Sequence, residues 1–335
     1  MADVAARSAM LAWVGFRPVC REGWSVRERR TIAMPGGASM LDLVRPTAAA
    51  CLPAGQVEYR LDRRGEAVVM VFHGGHVRAG LALGEDVFAA ADCTLLVPSR
   101  PGYGRTPLTT DSSVEGHTDV VRALCADLGI TRVAAVVGIS GGGPTAATMA
   151  ARHADLVERL ILVSAVGWLP YPDRWTLLGA HAVFAAGTEA VTWAAIHTLA
   201  RRAPDICLRL MMRSLSTRPV GEVMAALRAE DRDLLLALFA QMRSGRGFLN
   251  HLRPTPDVTA QINQPTLVIA TRTDGGVPFT HAQSLASTIR NAQLVESRTH
   301  PFRLARARLA GNRRADPAVP RYRPTTVVGP ARSDA

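Results

Sequence analysis

Residues 133–137, Val-Ala-Ala-Val-Val, run directly into Gly138-Ile139-Ser140-Gly141-Gly142-Gly143, and an Ala-rich stretch follows over 144–151. The first segment has strand character, the glycines permit a turn too tight for side chains, and the last segment restarts as a helix. A strand that turns straight into a helix belongs to a sheet carrying helices, which constrains the fold of this chain more than any other feature. Ser140 stands at the apex of the turn. Gly138-Ile139-Ser140-Gly141-Gly142 fits G-x-S-x-G, in which a strained turn lifts a seryl oxygen out of the sheet's end and small neighbours remove the clash. The free N–H groups of the following helix point towards that oxygen. The stretch lacks the Gly-Lys-Ser/Thr ending of a phosphate loop and has no G-x-G-x-x-G with an acid about 20 residues on, as a dinucleotide site would need. Ser140 is therefore read as a nucleophile, with a turn devoid of chemistry as the alternative.

The surrounding pattern agrees with a sheet. Residues 57–61 alternate like an edge strand, 67–72 form the continuous apolar run of a buried strand, and His73-Gly74-Gly75-His76 ends it. A helix is predicted over 81–91, a strand over 94–97, a Pro/Gly-rich loop over 99–106, a helix over 114–128 and another buried strand over 156–164. Strands alternating with helices make a mostly parallel sheet with helices on both faces. From 167 to 247 the alternation gives way to successive helices punctuated by Pro170, Pro172, Pro204 and Pro219, and the sheet resumes over 265–270 and 292–296 with a helix between. A helical block between two strands reads as a cap over the sheet's C-terminal edge. Its Met211, Met212, Trp175, Trp193 and Phe239 read as cap core in preference to pocket lining.

With 335 residues, 48% hydrophobic and 20% charged, the chain is long and apolar enough for one large α/β core. Aromatic residues at 5% argue against a stacking platform for single-stranded nucleic acid. The net charge of +11 is concentrated: residues 301–335 hold eight arginines against two aspartates, which is +6 of it. All 39 basic residues are arginine, a codon-bias signature of a GC-rich genome, whereas phosphate-binding surfaces draw on lysine as well, so no nucleic-acid partner is expected. Cys20, Cys51, Cys93, Cys125 and Cys207 show no C-x-x-C spacing, which points to reduced thiols in a cytoplasmic protein without a metal site. Asp3, Arg7 and Arg17 break the N-terminal apolar stretch, so no secretory signal is expected, and a start at Met34 or Met40 would leave the preceding residues outside the protein. Residues 177–200 approach the length of a membrane span, but His181, Gly187, Glu189 and His197 interrupt them, so a buried helical hairpin is expected and no membrane.

Four stretches together resemble a known family: Val-Phe-His73-Gly-Gly-His, Ser99-Arg-Pro-Gly-Tyr-Gly-Arg-Thr, Gly138-Ile-Ser140-Gly-Gly-Gly-Pro, and Pro265-Thr-Leu-Val-Ile-Ala-Thr-Arg-Thr-Asp274-Gly-Gly-Val-Pro278. Over about 57–300 the chain looks like the α/β-hydrolase fold of the cap-bearing, esterase and prolyl-aminopeptidase-like type, with the order Ser, Asp, His. The resemblance implies a mostly parallel sheet with helices on both faces and an inserted helical cap. It divides the chain into an N-terminal extension (1–56), a core (57–166 and 248–300), a cap (167–247) and a basic Pro/Arg-rich tail (301–335). It further implies cleavage of an ester- or amide-type bond of a small molecule through an acyl-enzyme, with no cofactor and no metal.

The chemistry asks for matching parts. A seryl hydroxyl is a poor nucleophile at neutral pH, so a neutral imidazole must take its proton and a carboxylate must hold the imidazole. Asp274 follows a buried strand by four residues and opens a Gly-Gly turn at the ligand-binding edge of the sheet. It is the expected acid, with a turn aspartate capping the helix at Thr280 as the alternative. His300 stands where the family places its base; His73 is read as structural, and His117, His153, His181, His197, His251 and His281 compete with it. The oxyanion donors are expected to be the N–H groups of Gly75 and Gly141, with His76 as a neighbouring choice. Serine at the elbow, where dehalogenases and epoxide hydrolases of the fold carry aspartate, points to the ester, amide or peptide-cleaving branch. Peracid chemistry on the same triad and a ligand-binding, inactive member are the alternatives. Beyond His300 the family's aromatic turn and final helix are replaced by Arg303-Leu-Ala-Arg-Ala-Arg-Leu-Ala-Gly-Asn-Arg-Arg. With GC-rich codons, a frame displaced near residue 302 can read Val-Trp-Leu-Gly-Pro-Asp-Trp-Pro-Ala-Ile-Ala, which looks like the missing ending, and such a shift in the gene would loosen His300 and weaken activity.

Overall fold

The structure, a computed structural model, describes residues 9–11, 13 and 43–297. Eight strands form one sheet: β1 (Ala48–Leu52), β2 (Gly55–Asp62), β3 (Val68–Phe72), β4 (Thr94–Pro98), β5 (Ala135–Ile139), β6 (Leu160–Val163), β7 (Thr266–Ala270) and β8 (Ala292–Glu296), in the order β1-β2-β4-β3-β5-β6-β7-β8. β1 and β2 make an antiparallel hairpin, β2 lies antiparallel to β4, and all the other pairings are parallel. The central strands are short runs such as Val-Val-Met-Val-Phe, and because a parallel strand is covered on both faces, nearly every residue in them is buried.

Alternation along each strand divides the core in two. Met70, Phe72, Val136, Leu160, Leu162 and Val268 pack beneath helices α2 (Val114–Asp127), α3 (Gly143–Arg152) and α10 (Phe279–Thr288). Val69, Val71, Val137, Ile161, Val163 and Ile269 face the other way, against Val87 and Phe88 of α1 (Asp86–Ala90) and against Met10. Residues 9–11 and 13 are helical there, and Trp13 Nε1 donates to the Pro265 carbonyl at 3.4 Å.

Between β6 and β7 come α4 (Arg174–Phe184), α5 (Thr188–Arg202), α6 (Pro204–Leu215), α7 (Val220–Ala226), α8 (Ala229–Phe239) and α9 (Gly247–His251). This insertion has its own core of Cys207, Leu208, Met212, Met224, Leu235 and Phe239, with Met211 packed against it. Trp193 is buried and donates to Ser244 Oγ at 2.7 Å, whereas Trp175 is 70% exposed. The apolar stretch over 177–200 is two helices, α4 and α5, broken near Gly187 at φ 100°. No helix among the described residues is long and apolar enough to cross a membrane.

Three boundaries differ from the sequence reading. The sheet starts before residue 57, because β1 falls in what reads as an extension; Ala-Ala-Ala-Cys-Leu carries no alternation, and its pairing is made by backbone, Ala48 facing Tyr59. The helix predicted over 81–91 shrinks to α1, since Leu81 is held in a bridge to Val44 and Gly84 adopts φ 79°. The strand predicted over 156–164 is shorter, with Val157 spent on a separate bridge to Val133. The tail over 301–335 and His300 lie outside the described residues.

Candidate active site

Phe72, Gly138 and Leu162 sit side by side in register, so the loop after β3, the turn after β5 and the segment after β6 all leave the sheet at one edge. The β5 turn is a short 3-10 segment, Ser140–Gly142, leading directly into α3. Ser140 has φ 50°, a left-handed conformation that costs a serine energy and persists only where the surroundings impose it. They do so by contact. A Cβ on Gly138 would lie 2.7 Å from the Ala146 Cβ, and one on Gly142 would overlap the Phe72 carbonyl oxygen. The serine is half-buried, and its carbonyl accepts from the Val166 N–H at 3.0 Å.

The loop after β3 closes on the same point. A Cβ on Gly74 would stand 2.9 Å from the Ser140 Cβ and 3.4 Å from its Oγ, so the backbone of 74–75 runs past the hydroxyl. His73 is buried beneath it, its Nε2 2.5 Å from Glu85 Oε1, while Arg60 pairs with the other carboxylate oxygen. Burial opposes charge on Glu85, but His73 and Arg60 outweigh it and hold the carboxyl below its ordinary range. His76 turns away at φ 65°, bonds Ser244 Oγ at 2.7 Å and stacks on Phe248 at 4.1 Å, which ties this loop to the helical insertion. Burial, helped by the Arg100 charge, pushes the His76 pKa down to about 3.

Two residues without an assigned role in the sequence reading belong here. Arg100, in the loop after β4, donates from Nη1 to the Gly141 carbonyl at 2.8 Å and from Nη2 to the Gly74 carbonyl at 3.0 Å, joining the two loops. Tyr103 places its hydroxyl 2.7 Å from His251 Nδ1, and burial pushes its phenol up to about 12. His251, from α9, brings the other edge of its ring to the elbow: a Cβ on Gly141 would lie 2.8 Å from its Nε2, and one on Gly75 3.3 Å from its Cε1. Burial and the nearby Arg100 charge keep this imidazole far below its ordinary pKa, hence neutral. Among the competing histidines, His251 thus reaches the elbow, whereas His281 accepts from the Gly167 N–H at 3.0 Å. The only sequence signal for Arg100 and Tyr103 was the Arg-Pro-Gly-Tyr string itself.

Asp274 lies after β7 and is 7% exposed. Its Oδ1 accepts from the N–H groups of Gly276 at 2.8 Å and Val277 at 3.0 Å, so it caps its own turn and not the helix near Thr280. Oδ2 makes no hydrogen bond among the described residues. The turn is clamped by the insertion: Ser216 bridges to Asp274, the Thr217 N–H donates to the Thr273 carbonyl at 3.1 Å, and the Gly275 N–H donates to Leu215 at 3.1 Å. Tyr171 also donates to the Gly276 carbonyl at 2.8 Å.

Beside Gly141 opens a cavity of about 270 Å³ lined by Arg100, Trp168, Tyr171, His251 and Arg253, and a second of about 230 Å³ shares Arg100, His251 and Arg253 with it. Both lie just below the roughly 300 Å³ at which pockets for drug-sized ligands begin. Among the described residues no three His, Cys, Asp or Glu side chains gather as a metal ion would require.

The family described as the alpha/beta hydrolase fold matches residues 68–299. A protein of Bacillus subtilis (strain 168), named uncharacterized hydrolase YcgS, is 30% identical over 246 residues, 72% of this chain and 86% of that protein. An alpha/beta hydrolase fold protein from Nakamurella multipartita superposes with a TM-score of 0.65 at 24% identity, covering 78% of this chain and 93% of that one. The enol-lactonase from Burkholderia xenovorans LB400 gives a TM-score of 0.56 at 19% identity, with 76% and 93% covered.

Proposed function

Because the chain belongs to the α/β-hydrolase fold family, we propose that it is a serine hydrolase cleaving an ester- or amide-type bond of a small molecule through an acyl-enzyme. The observation that carries this reading is the left-handed Ser140 at the tip of β5, facing the glycine backbone of the β3 loop. Ser140 Oγ attacks the scissile carbonyl while His300 takes its proton, and Asp274 Oδ2 accepts from the other ring nitrogen of that histidine. The β5 and β7 ends are two strand spacings apart, roughly 10 Å, a gap that the seryl and aspartyl side chains with one imidazole and two hydrogen bonds between them can span. The oxyanion takes hydrogen bonds from Gly75 N–H and Gly141 N–H; the proton then passes from His300 to the leaving group, and water releases the acyl group by the reverse steps. His251 is assigned to the wall of the acyl pocket, because its Nδ1 partner is the Tyr103 hydroxyl and not a carboxylate. The free thiols Cys51, Cys93, Cys125 and Cys207 support a cytoplasmic setting.

A fluorophosphonate probe tests the reading. Labelling of the wild type that disappears in Ser140→Ala is expected, together with loss of p-nitrophenyl butyrate hydrolysis. His300→Gln should lower kcat on the order of 10³-fold or more, and His251→Gln far less. Absence of labelling in the wild type would favour a ligand-binding protein on this fold.

A further inference from the structure

Among the described residues two arginines are almost fully buried, and they are treated differently. Arg60 is paired with Glu85 and Asp62. Arg100, 5% exposed, has no carboxylate partner among the described residues; its neighbours are the Tyr103 ring at 5.0 Å and the two carbonyls of Gly141 and Gly74. A buried charge without a counter-ion is costly, and burial accordingly pushes the Arg100 pKa down. Besides joining two loops, such a cation can stabilise negative charge that develops beside it.

Its hydrogen bonds indicate where. The Gly74 carbonyl belongs to the same peptide group as the Gly75 N–H, one of the two donors proposed for the oxyanion. A donor on the oxygen of a peptide group polarises that group and strengthens its N–H, and it also fixes the peptide plane. The second proposed donor, Gly141 N–H, shares a peptide with the Ser140 carbonyl, which is held in the same way by Val166 N–H at 3.0 Å. Both donor peptides therefore have their carbonyl ends tied, one of them by a full positive charge. The field of that charge also reaches His76, His117 and His251, where it adds to burial in disfavouring their protonated forms.

Resting on the reading of Ser140 as nucleophile, we infer that Arg100 is a positioning residue for the oxyanion: it polarises and locks the Gly74-Gly75 peptide and balances the charge of the tetrahedral intermediate. A substrate carboxylate is the competing destination, since Arg100 lines both cavities. Each terminal nitrogen already gives one hydrogen to a carbonyl, so a carboxylate would have to share the guanidinium with both loops.

The test compares a neutral ground state with an anionic tetrahedral adduct. In Arg100→Gln, which loses the charge and keeps an amide donor, kcat for p-nitrophenyl butyrate should fall on the order of tenfold to a hundredfold with KM little changed. The affinity for butylboronic acid, which becomes a tetrahedral anion when the seryl oxygen adds to boron and His300 takes the seryl proton, should fall by a similar factor. Arg100→Lys, which keeps the charge, should retain more boronate affinity than Arg100→Gln, and guanidinium ion should partly restore Arg100→Ala; these two comparisons also serve if Arg100→Gln does not fold. Unchanged boronate affinity in Arg100→Gln overturns the inference. A loss confined to KM for p-nitrophenyl hemisuccinate overturns it in favour of a substrate-carboxylate site. A wild type that neither turns over the ester nor binds the boronate overturns the Ser140 reading, and this one with it.

Discussion

The turn at Ser140 and the turn at Asp274 leave the same sheet edge two strands apart, yet they are held by different means. The first is local: a buried strand, glycines that admit the Phe72 carbonyl and the Ala146 methyl, and a helix that begins at once. The second is held from outside, by Leu215, Ser216 and Thr217 at the end of α6 and by the Tyr171 hydroxyl. The proposed nucleophile is thus shaped by its own turn and the strands beside it, and the proposed acid is held by the helical insertion. Changes at the end of α6 should reach the chemistry through Asp274 before they reach Ser140.

The sharpest way to break this comparison pairs one change in each turn. Gly142→Ala should destabilise the fold by roughly 3 kcal/mol or more, read as a drop in melting temperature, because backbone has to move to admit the methyl group. Asp274→Asn should melt like the wild type, since the amide oxygen can still accept from Gly276 and Val277, but kcat should fall on the order of 10³- to 10⁴-fold. Equal melting losses in the two variants would erase the distinction.

An intermediate effect comes from pH. His117, buried against Phe72 with no hydrogen-bond partner for either ring nitrogen among the described residues, has its pKa pushed down to about 3 by burial and by the Arg100 charge. The unfolded chain binds this proton near pH 6.5 and the folded protein does not, so stability falls as pH drops from about 6.5 towards 3. About 2 kcal/mol should be lost from this group between pH 7 and pH 5, and His117→Leu should flatten that slope in thermal melts. An unchanged slope in the variant would mean that other groups carry the acid sensitivity.

The smallest effect belongs to the acid turn. Tyr171→Phe removes one hydrogen bond to the Gly276 carbonyl, worth about 1 kcal/mol, and should lower kcat several-fold while fluorophosphonate labelling still occurs at Ser140. A melting temperature unchanged alongside an unchanged kcat would show that α6 alone is enough to hold Asp274.

The parts that could be read before folding are those whose cause is local. Central strands appear as apolar runs because both faces are covered, and the elbow is visible because its glycines are required by contacts within a few residues and with the adjacent strand. β1 escaped notice because alanines carry no face preference, and the helix predicted over 81–91 was cut short by a bridge to Val44. Asp274 could be placed at the sheet edge from its position after β7, but the division of labour between Oδ1, spent on its own turn, and Oδ2, left for another partner, could not.

By itself the sequence determined the α/β architecture, the helical block between β6 and β7 and the serine at the elbow, since hydrophobic period and glycine spacing are written along the chain. Only the tertiary structure decided that Arg100 would join the Gly74 and Gly141 carbonyls, that His251 would close over the elbow with Tyr103 behind it, and that α6 would clamp the acid turn. Those contacts join loops far apart in sequence, and their energies depend on burial and on which carbonyls and charges meet, quantities that exist only once the sheet edge has brought the loops together.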